Sequence, residues 1–247
     1  KISKKTKVIL PVHLYGSVSN LKEIKKIIKN KKIFLIDDCA QAHGAVDASE
    51  KNSHKKIGST TDISCFSLYP GKNLGAYGDA GIITTNNNLF NKKIRKLRNL
   101  GSEKKFIHDT VGLNSRLDTI QAIILNKKLK NLTKYNVKRR KIASFYRKNI
   151  INPKITKINY SKSCVHHQYL ILIKNRNNLI KLLKNKKIQF GFHYPYAIHQ
   201  LSVFKKRYKN KHFKNAEIIA KNSISLPIDP NLSKKELNYI VKTLNEF

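Results

Sequence analysis

The sequence predicts an α/β fold with a mostly parallel sheet, followed by a smaller α+β domain, and three observations lead there. The first half alternates short β-branched runs with amphipathic stretches, the pattern of βαβ units. Two carboxylates and a glycine-rich loop stand directly after apolar runs, where the ligand crevice of an open α/β sheet lies. A long helical pattern then runs without proline as far as Pro153, beyond which strands and helices are mixed. The expected division is therefore residues 1–152 as part of the large domain and 153–247 as the small one.

In chain order, VILPV (8–12) reads as a buried strand. After the turn-rich YGSVSN, LKEIKKIIKN spaces Leu21, Ile24, Ile27 and Ile28 at helical intervals, with Asn20 as N-cap. IFLID (33–37) is a second strand, and it delivers Asp37 and Asp38 to its carboxyl end. ISCFS (63–67) and GIITT (81–85) are further strands, and SLYPGKNLGAYGDAG between them lacks hydrophobic periodicity and reads as a loop. From Asp118 to Asn149 one helical stripe carries Ile120, Ile124, Lys128 and Leu132. Past Pro153 come a strand in VHHQYLILI, a helix in NRNNLIKLLKN, a strand-like KIQFGFHY, and a last helix with Ser233 and Glu236 in a capping box.

Composition narrows the function classes. The 247 residues carry 51 Lys+Arg against 14 Asp+Glu, a formal net charge of +37, an imbalance that ordinarily points to nucleic acid or an acidic membrane. Only eight of the basic residues are Arg, and the lysines are scattered among asparagines rather than gathered in a block. Such saturation looks like compositional drift, with the Lys/Asn tracts as solvated helix faces. No window offers 18 uninterrupted apolar residues, so the expectation is a soluble, cytoplasmic protein with neither a membrane nor a specific nucleic-acid partner. Cys39, Cys65 and Cys164 lack metal-ligand spacing and are expected to be buried small hydrophobes, with no metal site.

Among the lysines, Lys72 has the least ordinary setting. Flanked by Gly71 and Asn73 on a loop after an apolar strand, it is held in the crevice with limited freedom. Partial desolvation of such an amine lowers its pKa and equips it to bind an aldehyde cofactor. A solvated surface lysine is the plainer reading of the same residues.

LIDDCAQAHGA, FSLYPGKNLGAYGDAGIITT and GLNSRLDTIQAIIL occur in that order, with VILPVHLYG before them and FGFHYPYAIH and AEIIAKNSISLPIDPNLSKKEL after. Together they resemble the DegT/DnrJ/EryC1/StrS family of sugar aminotransferases, in particular its 3-keto-6-deoxyhexose branch, over essentially the whole chain. The resemblance implies a type I aminotransferase fold and pyridoxal 5′-phosphate. It also implies transfer of an amino group from glutamate to a nucleotide-linked keto-sugar, such as a dTDP-3-keto-6-deoxyhexose, with UDP-linked and C4-keto substrates as alternatives. Lys72 matches the family's Schiff-base lysine, and Asp38 the carboxylate that faces the pyridine nitrogen, leaving Asp37 structural. Gln41 matches the amide near the phenolic oxygen, and Ser67 a phosphate-binding hydroxyl. Asn114 matches a residue given to the neighbouring subunit's cofactor phosphate, which implies a homodimer with shared sites; the plain reading of Asn114 and Arg116 is a capped helix start. Arg116 matches either a local anchor or a site for the glutamate carboxylate. His13, Tyr15, His193 and Tyr194 look like residues lining the sugar pocket, against the plainer alternative of buried core histidines.

Two departures from the family pattern stand out. The Gly-Thr phosphate loop and the aromatic that stacks on the cofactor ring, which lie ahead of PVHLYG in the family, have no counterpart here, and the sequence contains no Met. The expectation is a C-terminal portion with an incomplete cofactor site. Ala197-Ile198 also replaces the more usual Pro-Leu before His199. Three rivals remain: a same-fold dehydratase, which would carry histidine in place of Lys72; a basic nucleic-acid binder using Tyr135, Phe145 and Tyr146 beside KRRK (138–141); and an inactive fragment.

Overall fold

The computed structural model describes residues 1–47 and 55–247. Its elements are β1 (Val8–Ile9), α1 (Leu21–Ile28), β2 (Phe34–Asp38), β3 (Ile63–Ser67), β4 (Gly81–Thr84), α2 (Asn88–Leu97), β5 (Ser102–Lys104), β6 (Ile107–His108), α3 (Thr119–Leu129) and α4 (Leu132–Asn149). They continue with β7 (Thr156–Lys157), β8 (Tyr169–Leu172), α5 (Arg176–Asn185), α6 (Ser202–Lys205), α7 (Lys214–Asn222), β9 (Ser223–Leu226) and α8 (Lys234–Asn245). Among the described residues, no helix is long and apolar enough to cross a membrane.

The chain forms two compact units. One comprises Lys1–Val137 and Ser161–His167, the other Lys138–Tyr160 and Gln168–Phe247. The chain first passes from one unit to the other inside α4, where Ile142, Ala143, Tyr146 and Ile150, spaced on one helical face, are all buried in the second core.

In the first unit the strands are ordered β1-β2-β3-β4, with β1, β2 and β3 parallel and β4 antiparallel at the end. Leu21, Leu35, Cys39, Ala42, Ala45, Ile57 and Val165 form its main core. Asn20 caps α1 by accepting the Glu23 N–H at 3.3 Å. VILPV is not a buried strand. Val8 and Ile9 pair with β2 as a strand, the ladder is interrupted at Pro11, which has no N–H, and Val12 resumes it as an isolated bridge to Asp38, while the side chains of Leu10 and Val12 are exposed. The Pro11 carbonyl still accepts the Asp38 N–H at 2.9 Å. The helical stripe expected over 118–149 is broken at Lys130–Asn131 into α3 and α4, and Ile120 faces outward while Leu125 and Leu132 are buried.

The second unit pairs β7-β8-β9 antiparallel and packs helices on them, an α+β arrangement. Tyr146, Leu179, Leu183 and Leu244 are fully buried in it, and the Tyr146 hydroxyl donates to the Pro227 carbonyl at 2.8 Å. The capping box of α8 forms, with the Glu236 N–H donating to Ser233 Oγ at 3.2 Å and Glu236 Oε2 accepting the Ser233 N–H at 2.7 Å. KIQFGFHY contributes only a bridge between Gly191 and Ser225.

The end of β2 is pinned from within. Asp37 is fully buried, and its carboxylate accepts from Thr61 Oγ1 at 2.6 Å and from His13 Nε2 at 3.1 Å. Burial alone would raise its pKa. The hydrogen bonds from His13, Ser64 and Thr61, with the attraction of His13, outweigh that and hold the carboxyl below its ordinary range.

Two outcomes are expected. Leu244→Ala should lower unfolding free energy by about 2–5 kcal/mol in a denaturant titration, whereas Leu89→Ala, at a position 76% exposed, should change it by less than about 0.5 kcal/mol. A depressed folded-state pKa stabilises above the unfolded-state value and is lost as pH falls through the folded one. The stability gap between wild type and Asp37→Asn should therefore be widest near neutral pH and close as pH drops below about 4. Parallel acid limbs in urea melts of the two proteins would contradict this.

Candidate active site

β2 and β3 run parallel in the register Asp37 to Ser64 and Asp38 to Cys65, so their carboxyl ends lie side by side. Successive side chains on a strand point to opposite faces, so sending Asp37 inward turns Asp38 to the other face. Asp38 is half-buried, and its Oδ1 accepts the Ala40 N–H at 2.9 Å, which bends the chain towards Gln41. Gln41 is buried, and its side-chain oxygen accepts the Tyr15 N–H at 2.5 Å.

Beyond β3, Ser67 Oγ accepts the Tyr69 N–H at 3.4 Å, and the Lys72 N–H closes a turn on the Tyr69 carbonyl at 2.9 Å. Gly75 is required two residues past Asn73. A Cβ there would lie 2.4 Å from the Pro70 carbonyl oxygen. Lys128 of α3 caps the Gly75 carbonyl at 2.6 Å, and Gln121 of α3 accepts the Tyr77 N–H at 2.8 Å, so the helix holds the loop's far side.

Lys72 is half-buried. Desolvation pulls its pKa below the ordinary lysine value, and the nearby Asp38 carboxylate pulls the other way without cancelling it. His43 belongs to the same group. Burial pushes it down to about 4, the Ser67 carbonyl that accepts its Nε2–H at 2.8 Å opposes the shift, and the Lys72 charge adds to it. The imidazole is therefore neutral at physiological pH, with the proton on Nε2. The Lys72 amine thus lies within electrostatic reach of Asp38 and His43, and Ser67 ends the strand that runs beside the one ending in Asp38. His43 was not singled out from the sequence; its place two residues after Gln41 in the same motif is the signal that could have marked it.

The remaining candidates fall elsewhere. His13 is fully buried, with Nε2 on Asp37 and Nδ1 accepting the Ser19 N–H at 3.1 Å. Both ring nitrogens are engaged within the protein, which favours the plainer reading of His13 as a buried core histidine. Tyr15 is half-buried in a left-handed conformation (φ 61°), and its carbonyl accepts the His167 N–H at 2.9 Å. Asn114 and Arg116 form an exposed pair, in which Arg116 Nε donates to Asn114 Oδ1 at 2.9 Å. Asp118, the residue before α3, makes no side-chain cap. His193 and Tyr194 belong to the second unit, where His193 Nδ1 lies 2.8 Å from Ser225 Oγ and Tyr194 is exposed.

One cluster has the composition of a metal site. The ligating atoms of His13, Asp37 and Cys39 lie within 4.8 Å of one another. His13 and Asp37 are already bonded to each other, and burial, with the Asp37 charge, drives the Cys39 thiol far above its ordinary pKa, so the thiolate a metal needs is disfavoured. Cys39, Cys65 and Cys164 form no disulfide among the described residues, Cys39 and Cys164 being buried and Cys65 half-buried.

Comparison with known proteins places this geometry. The DegT/DnrJ/EryC1/StrS aminotransferase family matches residues 1–245. The dTDP-3-amino-3,6-dideoxy-alpha-D-galactopyranose transaminase of Aneurinibacillus thermoaerophilus is 39% identical over 249 residues, covering 100% of this chain and 67% of that protein. The UDP-N-acetyl-3-dehydro-alpha-D-glucosamine 3-aminotransferase of Acidithiobacillus ferrooxidans is 34% identical, covering 98% of this chain and 65% of that protein. Among solved structures, S. venezuelae DesV in complex with ketimine intermediate superposes with a TM-score of 0.93 at 31% identity, covering 99% of this chain and 66% of that one. The chain spans about two thirds of the length of the curated relatives it matches. With a parallel sheet that gathers an amine and a carboxylate at its strand ends, and a match that runs nearly end to end, the chain belongs to the DegT/DnrJ/EryC1/StrS aminotransferase family.

Proposed function

We propose that the protein containing this chain is a pyridoxal 5′-phosphate-dependent aminotransferase that moves an amino group from glutamate to a nucleotide-linked keto-sugar, a dTDP-linked 3-keto-6-deoxyhexose. The observation that carries this reading is the pairing of Lys72, an amine held below its ordinary pKa by desolvation, with the Asp38 carboxylate beside it. The fit to the cofactor is chemical. An aldehyde needs a neutral amine, a pyridine nitrogen needs an anion to keep it protonated, and a phosphate needs hydroxyl donors; Lys72, Asp38 and Ser67 are groups of those kinds at neighbouring strand ends.

When bound, pyridoxal 5′-phosphate supplies an aldehyde and an electron-withdrawing ring. Lys72 Nζ would anchor it and afterwards carry a proton between donor and acceptor carbons. Asp38 would hold a proton at the ring nitrogen, and Gln41, its amide fixed by the Tyr15 N–H, would orient the phenolic oxygen. Ser67 would donate to the phosphate. Asn114 would reach the same group from a second copy, so the working enzyme is a homodimer. Tyr15, Arg116, His193 and Tyr194 are assigned to substrate. The relatives' names support both dTDP and UDP carriers, and a UDP-linked 3-keto sugar is therefore the second reading.

Three experiments test this proposal. With pyridoxal 5′-phosphate added, borohydride reduction followed by peptide mass mapping should fix the cofactor on Lys72, and Lys72→Ala should abolish the label; recovery on another lysine would overturn the assignment. Asp38→Asn should slow the half-reaction with glutamate by about 10³-fold, the loss of several kcal/mol of transition-state stabilisation, with a much smaller change in cofactor affinity. If Asp37→Asn were the variant with that kinetic defect, the roles of the two carboxylates would be reversed. With glutamate as donor, kcat/KM should be higher for the dTDP-linked 3-keto-6-deoxyhexose than for a UDP-linked 3-keto sugar, and the opposite order would favour the second reading.

A further inference from the structure

Asn73, next to Lys72, ties its loop to three residues on two segments distant in sequence. Its Nδ2 donates to Asn136 Oδ1 at 3.1 Å and to the Val165 carbonyl at 3.1 Å, and its Oδ1 faces His167 Nδ1 at 3.3 Å. Asn136, on α4 and 2% exposed, donates from its own Nδ2 to the His43 carbonyl at 2.8 Å. The orientation of both amides follows from their backbone partners. A carbonyl accepts only, so Val165 fixes the nitrogen end of Asn73, and His43 fixes that of Asn136. Asn136 then turns its oxygen to Asn73, and the Asn73 oxygen is left to accept the His167 Nδ1–H. Every hydrogen-bonding position of the Asn73 amide group except a lone pair is used, in a place where an unmet donor costs about 1–3 kcal/mol.

The contact depends on the backbone as well. Gly44 is left-handed (φ +77°), and a Cβ there would stand 3.0 Å from Asn136 Nδ2, so glycine admits the asparagine to the chain that follows Gln41 and His43. The His43 side chain donates to the Ser67 carbonyl at 2.8 Å. One network therefore joins the chain after β2, the end of β3, the lysine loop, α4 and residues 161–167, all within the first unit.

We propose that Asn73 and Asn136 are positioning residues for Lys72: the amide pair holds the loop so that the lysine amine is kept partly out of water beside Asp38. The proposal rests on the reading of Lys72 as the amine that takes the cofactor. Neither asparagine is assigned contact with substrate or cofactor. Desolvation lowers the Lys72 pKa and the Asp38 carboxylate opposes it; the neighbouring His43 is held neutral by burial and by the Lys72 charge and brings no charge of its own. Loosening the loop lets the ammonium reach solvent, which moves the pKa up towards the ordinary lysine value and leaves less neutral amine at a given pH.

The experiment measures capture of pyridoxal 5′-phosphate by Lys72 as a function of pH, trapped with borohydride and quantified by peptide mass. Wild type, Asn73→Ser, Asn136→Ala and Asn152→Ala are compared, each with its melting temperature. Asn152 is the control, because its buried side chain donates to the Leu244 carbonyl at 2.8 Å in the second unit. Asn73→Ser and Asn136→Ala should raise the midpoint of capture by about one pH unit, equivalent to about tenfold less neutral amine, and spread label to other lysines. Asn152→Ala should lower the melting temperature with no change in midpoint. If the two loop variants lower the melting temperature yet keep the wild-type midpoint and label distribution, the asparagines are structural only and the proposal is overturned. If one of them does not fold, the other decides. Absence of Lys72 labelling in wild type would remove the functional reading itself, an outcome distinct from an unchanged midpoint, and would take the positioning role with it.

Discussion

The buried Asp37 carboxylate is the constraint on which the site's arrangement depends. An ion without water is stable only where its lone pairs are met, and here the donors come from His13 ahead of α1, Thr61 ahead of β3 and Ser64 on β3. Satisfying that one group locks the turn after Pro11, the start of β3 and the end of β2 to each other. It also decides the register of the Asp-Asp pair, since the strand's alternation gives the next residue the opposite face. The chemistry proposed for Asp38 follows from the inertness of its neighbour.

Lysine identity alone distinguishes nothing in a chain with so many. What separates Lys72 is the shape of its loop: a turn closed on Tyr69, a glycine that no other residue can replace at position 75, and side chains from α3 and α4 that hold the loop on both sides. Partial burial does the rest. An amine that cannot fully hydrate is a weaker base, and a nearby carboxylate limits how far that goes.

Much of this was legible in the sequence wherever the signal is local. β2, β3 and β4 follow from β-branched runs and the caps at Asn20 and Ser233 from residues within one turn, while Asp38 and Lys72 draw notice by standing at or after strand ends and Ser67 only by the family resemblance. What failed depends on partners far along the chain. VHHQYLILI reads as one strand, yet its first residues bond to Tyr15, Gly16 and Asn73, and β8 starts only at Tyr169. His13 offers no local hint that Asp37 will take its nitrogen. The stripe across α3 and α4 continues in sequence through Lys130 and Asn131, where the two helices in fact part, and α4 changes allegiance midway because its later apolar residues find the second core. Asn73 and Asn136 lie on different elements, and no periodicity links them.

The short segment 161–167 belongs to the first unit although residues on both sides belong to the second. The backbone therefore passes from one unit to the other three times, within α4, before Ser161 and after His167. Neither unit is a contiguous stretch of gene. A single recombination crossover between relatives would inherit α4's two halves, or the segment and its receptors at Tyr15 and Gly16, from different parents. Exchange of one unit for a homologous one thus has to carry several separated pieces of sequence together, which ties the evolution of the lysine loop to that of a segment more than ninety residues downstream.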